Sequence, residues 1–340
     1  MRWILLALTA ALAAGWWACV DHPGTASDIT VSDYPVPEGL PPIPIPQDNP
    51  ITSENIALGR LLFYDGRLSR NGDLSCASCH RQSHAFADTL AVSRGSDSET
   101  GLRNAPALVN IAYSGAWFWD GRARSIEEQI LGALTSPIEM ASDTAQVAQL
   151  LAHDEHYRQL FLQVFGTAPS ARDAIRALAT FCRVLISGNS RYDRYRRGDS
   201  GALSDAEKRG MALFFSSRAG CSGCHSGPNF TDNAFHSIGI HTHYYDRGRY
   251  YVTGNEGDIG KFKTPTLRNV ALTAPYMNDG TLATLDEVLE HYNTGGKPFV
   301  NKDPRIRPLG LTRQELADLR AFLQALTDSA FITNPAFAQP

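Results

Sequence analysis

The sequence predicts a mainly α fold, with two similar helical domains in tandem and long loops between the helices. Three observations predict it. Helix-start signals of the form Ser/Thr-x-x-Glu recur at Ser125/Glu128, Ser204/Glu207, Thr284/Glu287 and Thr312/Glu315; the hydroxyl caps an amide of the first turn and the carboxylate reaches back to the cap. Ala174, Ile175, Leu178, Phe181, Cys182 and Leu185 keep helical spacing, and strand-like alternation is scarce. Gly59-Arg60-Leu61-Leu62-Phe63 and Gly210-Met211-Ala212-Leu213-Phe214 each lead into a Cys-x-x-Cys-His motif, so one unit is used twice.

The 340 residues suit two domains of ordinary size. With 43% hydrophobic and 19% charged residues the chain reads as soluble and globular. A net charge of -4 argues against a nucleic-acid partner, which selects a clustered basic face.

Residues 1–18 read as a signal peptide: Arg2 supplies the positive start, and Trp3 to Trp17 form an apolar stretch too short to span a bilayer comfortably. Cys19 follows Ala18, so a lipid anchor at Cys19 stands beside simple signal cleavage; Trp16 occupies a position where lipoprotein signals carry a small aliphatic residue. Either route places the mature protein outside the cytoplasm, in the periplasm, free or tethered to a membrane. Residues 19–50 form a Pro-rich tether, with Pro35, Pro37, Pro41, Pro42, Pro44, Pro46 and Pro50 favouring an extended path, and an inert spacer is its expected role. Residues 51–198 then make the N-terminal domain and 199–340 the C-terminal one, divided at Gly198 to Gly201.

Six cysteines in an exported chain first suggest disulfides. Their arrangement says otherwise. Cys76-Ala77-Ser78-Cys79-His80 and Cys221-Ser222-Gly223-Cys224-His225 are two copies of the c-type haem attachment signature. Each thiol pair can form thioethers to the haem vinyl groups while His80 or His225 swings under the iron. A zinc site would place its pairs about 15–20 residues apart, and a redox disulfide does not require a following His. Two covalently bound c-type haems are therefore expected. Cys182 sits in an apolar helical stretch and reads as a buried free thiol.

Further runs carry a family resemblance. Leu58-Gly59-Arg60-Leu61-Leu62-Phe63, Arg103-Asn104-Ala105-Pro106, Phe118-Trp119-Asp120-Gly121-Arg122, Pro137-Ile138-Glu139-Met140, Pro265-Thr266-Leu267-Arg268-Asn269-Val270 and Ala274-Pro275-Tyr276-Met277 occur in order around the two haem motifs. From about Ala57 to Gly296 the chain resembles the bacterial di-haem cytochrome c peroxidase / MauG family. The resemblance implies two cytochrome c-like domains, a peroxide-reacting haem in the first and a second haem in the other.

It also implies site residues. Where many members carry a distal His ligand after Ser-x-Gly, this chain has Ser93-Arg94-Gly95-Ser96-Asp97, with no His up to Asn104, which implies an open face on the first haem. His84 reads as a packed residue. The position of the second haem's distal ligand is Tyr292; Leu285, Val288, Leu289 and Tyr292 share a helix face, and His291 is turned about 100° away. A core tyrosine with a bonded hydroxyl is the alternative. Glu139 matches the distal acid–base residue, Gln129 a second polar pocket residue (or a helix cap), and Trp119 the indole between the haems. Asn104, with the backbone carbonyls of Thr273 and Pro275, matches a calcium site. Asn278 stands where the family commonly has His.

An open first haem and a tyrosine on the second imply the MauG/MbnH-like branch. Its members use hydrogen peroxide, through a high-valent haem state, to oxidise a residue of an exported partner protein. A hard phenolate favours higher charge on iron than a thioether does. The alternatives are a di-haem peroxidase drawing electrons from a small redox protein, and a non-enzymatic di-haem electron carrier.

Overall fold

The computed structural model describes residues 36–340, so the expected signal segment 1–18, Cys19 and the start of the expected tether lie outside the described residues. The helices, in order, are α1 (Ser53–Tyr64), α2 (Cys76–Cys79), α3 (Ile126–Thr135), α4 (Thr144–His153), α5 (Glu155–Phe165), α6 (Ala171–Arg183), α7 (Arg191–Arg196), α8 (Asp205–Phe214), α9 (Tyr250–Thr253), α10 (Leu285–Thr294), α11 (Arg313–Gln324) and α12 (Ser329–Ile332). The only named strands among the described residues, β1 (Phe235–His236) and β2 (Phe262–Lys263), pair antiparallel. No helix among the described residues is long and apolar enough to cross a membrane.

The repeated lead-in has a packing cause. In the first half α1 crosses α6, and in the second α8 crosses α11. Gly59 and Gly210 sit at the crossings: a Cβ on Gly59 would lie 2.0 Å from the carbonyl oxygen of Ala177, and one on Gly210 would lie 1.9 Å from that of Asp318. Only hydrogen fits there. One turn on, Phe63 meets Phe181 with ring centroids 5.2 Å apart, and Phe214 meets Phe322 at the same separation. These rings are fully or almost fully buried and seed the two main cores.

The helix starts follow the sequence with one change. Ser204/Glu207, Thr284/Glu287 and Thr312/Glu315 close reciprocal capping boxes. Ser125 accepts from the Glu128 amide, but the Glu128 carboxylate accepts from the Arg124 amide, one residue upstream of the cap.

Two expectations about the chain's ends need correction. The last part of the expected spacer is fastened to the first half: the buried Asn49 amide donates to Glu127 Oε1 and to the Arg176 carbonyl, both at 3.0 Å, and the Tyr113 hydroxyl donates to the Pro41 carbonyl. A buried amide needs such partners, so these prolines lie against α3 and α6. At the other end, Phe331 and Phe337 meet Phe86 edge-on at 5.7 and 6.4 Å, and Arg60 Nε donates to the Ala338 carbonyl. The final segment thus completes the core of the first half, although it follows the second in sequence.

Candidate active site

Each half folds its Cys-x-x-Cys-His motif against a cavity. The first, of about 400 Å³, is lined by Cys76, Cys79 and His80 together with Trp119, Gln129 and Glu139. Its size falls within the usual range of about 300–1,000 Å³ for cofactor sites. His80 Nδ1 lies 2.8 Å from the carbonyl oxygen of Phe86. That bond places the ring proton on Nδ1 and leaves Nε2 as the lone-pair nitrogen a metal needs. Phe86 supplies the carbonyl from a left-handed backbone (φ 60°), a conformation that costs an L-residue about 1–2 kcal/mol.

The second half repeats the device. His225 Nδ1 lies 3.1 Å from the carbonyl oxygen of Phe230, itself left-handed at φ 51°. Burial lowers the pKa of both imidazoles, favouring the neutral ligand form. Cys221, Cys224, His225 and Tyr292 line this cavity, of about 210 Å³. Leu285 and Leu289 bury the same face of α10. The Tyr292 hydroxyl makes no hydrogen bond among the described residues, and burial raises its pKa. His291 turns elsewhere, its Nε2 3.1 Å from the carbonyl oxygen of Ile238. The donor sets therefore fit one c-type haem in each cavity: two thiols and a neutral His on each, with a phenol added in the second.

Ser96, Asp97 and His84, the polar residues near the expected open face, are engaged elsewhere. The Ser96 hydroxyl donates to Asp73 Oδ1 at 2.6 Å, its amide donates to the Glu139 carbonyl at 2.8 Å, and it does not line the cavity. Asp97 pairs with Arg70, and His84 Nδ1 lies 2.9 Å from the Ser83 hydroxyl. Burial raises the pKa of Glu139, opposed by the charge of Arg122 and a hydrogen bond with Ser136. Ile138 and Pro137 are exposed, and the backbone of Gly95 packs against that of Ile138 and Glu139. Gln129 accepts from the Phe118 amide through Oε1 at 2.6 Å and steadies the turn that presents Trp119. It lines the cavity and caps no helix terminus.

Trp119 lines both cavities and a third space of about 140 Å³ between them. Asn104, Thr273 and Pro275 line this middle space too. Asn104 donates through Nδ2 to the Leu90 carbonyl, and its Oδ1 and the carbonyl oxygens of Thr273 and Pro275 accept from no donor among the described residues. Such a set of unpartnered oxygens fits a hard cation. Asn278 is buried at the wall, its carbonyl accepting from the Asn104 amide.

The sequence profile of the family described as di-haem cytochrome c peroxidase (CCP_MauG) matches residues 53–201. The methylamine utilization protein MauG of Methylorubrum extorquens is 40% identical over 297 residues, covering 86% of this chain and 84% of its own. The chain belongs to the di-haem cytochrome c peroxidase / MauG family. Cytochrome-c peroxidase IdrP1 of Denitromonas iodatirespirans is 38% identical over 338 residues, covering 89% of this chain and 90% of its own. The crystal structure of a MauG-like protein associated with microbial copper homeostasis superposes with a TM-score of 0.86 at 38% identity, covering 90% of this chain and 98% of that one. This member of the family is thus a haem peroxidase-type oxidoreductase and a di-haem c-type cytochrome.

The structure also brings in residues that the sequence reading passed over. Trp117-Phe118-Trp119-Asp120-Gly121 and Tyr276-Met277-Asn278-Asp279-Gly280 are one motif used twice: Phe118 and Met277 share left-handed φ values of 62° and 77°, and Trp117↔Ala123 matches Tyr276↔Leu282 as an isolated bridge. Carried forward, this register pairs Ser125 with Thr284 and Ala133 with Tyr292. Ala133 lines the first cavity where Tyr292 lines the second. The second Asp-Gly was a signal available in the sequence. Cys182 is free and buried as expected, but it also lines the first cavity.

Proposed function

We propose that this family member uses hydrogen peroxide to oxidise a residue of a partner protein, as a MauG-like enzyme. One observation carries the reading: the same helix position offers a phenol to the C-terminal cavity (Tyr292) and only a methyl group to the N-terminal one (Ala133). The first site stays open for a small substrate, and the second is closed by a hard donor.

In this reading Cys76, Cys79, Cys221 and Cys224 anchor the two haems, and His80, His225 and Tyr292 meet their irons. The haems supply the redox chemistry that accepts oxidising equivalents from peroxide. Glu139 is the proton carrier: with its pKa raised by burial, it takes a proton from one peroxide oxygen and returns it to the other, so that water can leave. Gln129 holds the Phe118–Trp119 turn in place, and Trp119, touching both cavities, is the residue through which they exchange electrons. Asn104, with the carbonyls of Thr273 and Pro275, holds one calcium ion between them. The signal-like segment 1–18 directs the protein to the periplasm, where Cys19 offers a site for a lipid anchor and an exported protein serves as substrate.

The relatives named cytochrome-c peroxidase favour a second reading, in which a small redox protein supplies electrons and peroxide is only reduced. Adding one equivalent of peroxide to the fully oxidised protein separates the two. A rapid reaction giving a long-lived oxidised species with new near-infrared absorption is the expected result. No reaction until one haem is reduced would favour the donor-dependent peroxidase.

A further inference from the structure

Lys263 is an anomaly of the wall between the cavities. It lines both the middle space and the C-terminal cavity. It forms no ion pair or side-chain hydrogen bond among the described residues. Enclosure pulls its pKa down to about 8, so at neutral pH the ammonium is still largely charged. Asp232 is the acid whose charge reaches it, but that carboxylate is already taken. One oxygen accepts from the Ala234 amide and the other lies 2.9 Å from His236 Nε2. An ammonium drawn half out of water beside two cavities, with no partner among the described residues, is costly, so its position points to an anion that the described chain does not supply.

The duplication says what kind of place this is. Extending the register backwards pairs Arg103-Asn104-Ala105-Pro106 with Phe262-Lys263-Thr264-Pro265, so Lys263 is the counterpart of Asn104. The backbone agrees: Asn104 donates to the carbonyl of Asn278, and Lys263 donates to the carbonyl of Trp119, which is the counterpart of Asn278. Both residues line the one middle space. Around it the chain presents the Asn104 amide and the carbonyls of Thr273 and Pro275, free of donors among the described residues, a set that suits an added cation. It also presents a cation of its own, Lys263.

We infer that the Lys263 ammonium is the fixed counter-ion of a carboxylate belonging to the group bound in the C-terminal cavity. A c-type haem is tethered through its vinyl groups and carries two propionates at the opposite edge, so it brings the required anions. The inference rests on the reading that this cavity holds a haem, and it assigns Lys263 a positioning role. A lysine charge paired with a propionate holds that haem edge against the wall that also carries Trp119. It also favours the reduced iron, because the nearby positive charge stabilises the added electron.

The test uses the full haem-loaded protein and needs no peroxide. K263M, K263R and the parent protein are compared by haem content, by the midpoint potential of each haem, and by thermal melting. Two haems per chain in the parent are required; a chain carrying a single haem, with none on Cys221 and Cys224, would overturn the underlying reading and this inference with it. With both haems present, K263M is expected to lower the potential of the C-terminal haem alone and to lower the melting temperature, because a propionate loses its partner. K263R is expected to restore both. The inference fails if K263M leaves both potentials unchanged and melts higher than the parent, the result for a lysine buried without any partner. K263Q carries the same readouts if K263M does not load both haems. Loss of peroxide reactivity alone would bear on the proposed function and leave this result standing.

Discussion

The backbone amide of Lys263 donates to the carbonyl of Trp119 at 2.8 Å, and that of Asn104 donates to the carbonyl of Asn278 at the same distance. Each half of the molecule thus closes on the other with the same bond made in reverse. The arrangement pins Trp119, whose indole N–H donates to the Asn104 carbonyl at 2.8 Å, where it touches both cavities. The candidate calcium ligand Asn104 and Lys263 border the same small space.

Replacing Glu139 tests the proton carrier. E139Q is expected to slow the reaction with peroxide by about 10²–10⁴-fold, the usual worth of a positioned acid–base group, measured by stopped-flow absorbance. Full reactivity in E139Q would remove Glu139 from the mechanism and reopen the electron-carrier reading.

The same variant has a pH signature. Burial raises the Glu139 pKa, so the folded state holds its proton above the unfolded value near 4.5. Stability therefore falls as pH rises from there through the raised folded value, where the unfolded chain has already released the proton. E139Q lacks that penalty. Its melting temperature relative to the parent protein is expected to climb across that window, and a constant difference would contradict the assignment.

Tyr292 and Ser96 separate ligation from packing. Y292F is expected to change the visible and EPR spectra of the C-terminal haem and to shorten the lifetime of the peroxide-oxidised protein. S96A is expected to leave the haem spectra and peroxide rate unchanged while costing about 1 kcal/mol of stability, because it loses the part-buried bond to Asp73. A spectral change in S96A would show that the open face has been misread.

The middle space predicts a metal dependence. One calcium per chain is expected by elemental analysis, lost on chelation and weakened in N104A, with a fall in melting temperature in each case. A protein that melts identically with and without chelator would leave the Asn104, Thr273 and Pro275 oxygens without a cation to hold.

At the helix crossings, G59A and G210A are each expected to destabilise by about 1–3 kcal/mol or more, the range for overpacking a tight core. G201A, which meets only Asp199 Oδ1 at an ordinary 3.5 Å, is the control. Equal melting temperatures for all three would show that the crossings relax.

Much of this was legible in the chain itself, because it depends on residues near one another. The haem motifs are set by neighbouring thiols and an imidazole, and three of the four helix starts close as their Ser/Thr and Glu spacing demands. The face of α10 that carries Tyr292 follows from helical period alone. Other features depended on atoms far apart in sequence. Helical period does not show that Tyr292 has no hydrogen-bond partner among the described residues, that Ser96 spends its hydroxyl on Asp73, or that Phe337 returns to cover Phe86. The expected spacer reads as proline-rich and inert until Asn49 is seen buried between Glu127 and Arg176. Lys263 is one of five lysines in the sequence; only the closing of the two halves sets it, half-buried, at the wall of two cavities with no ion-pair partner among the described residues.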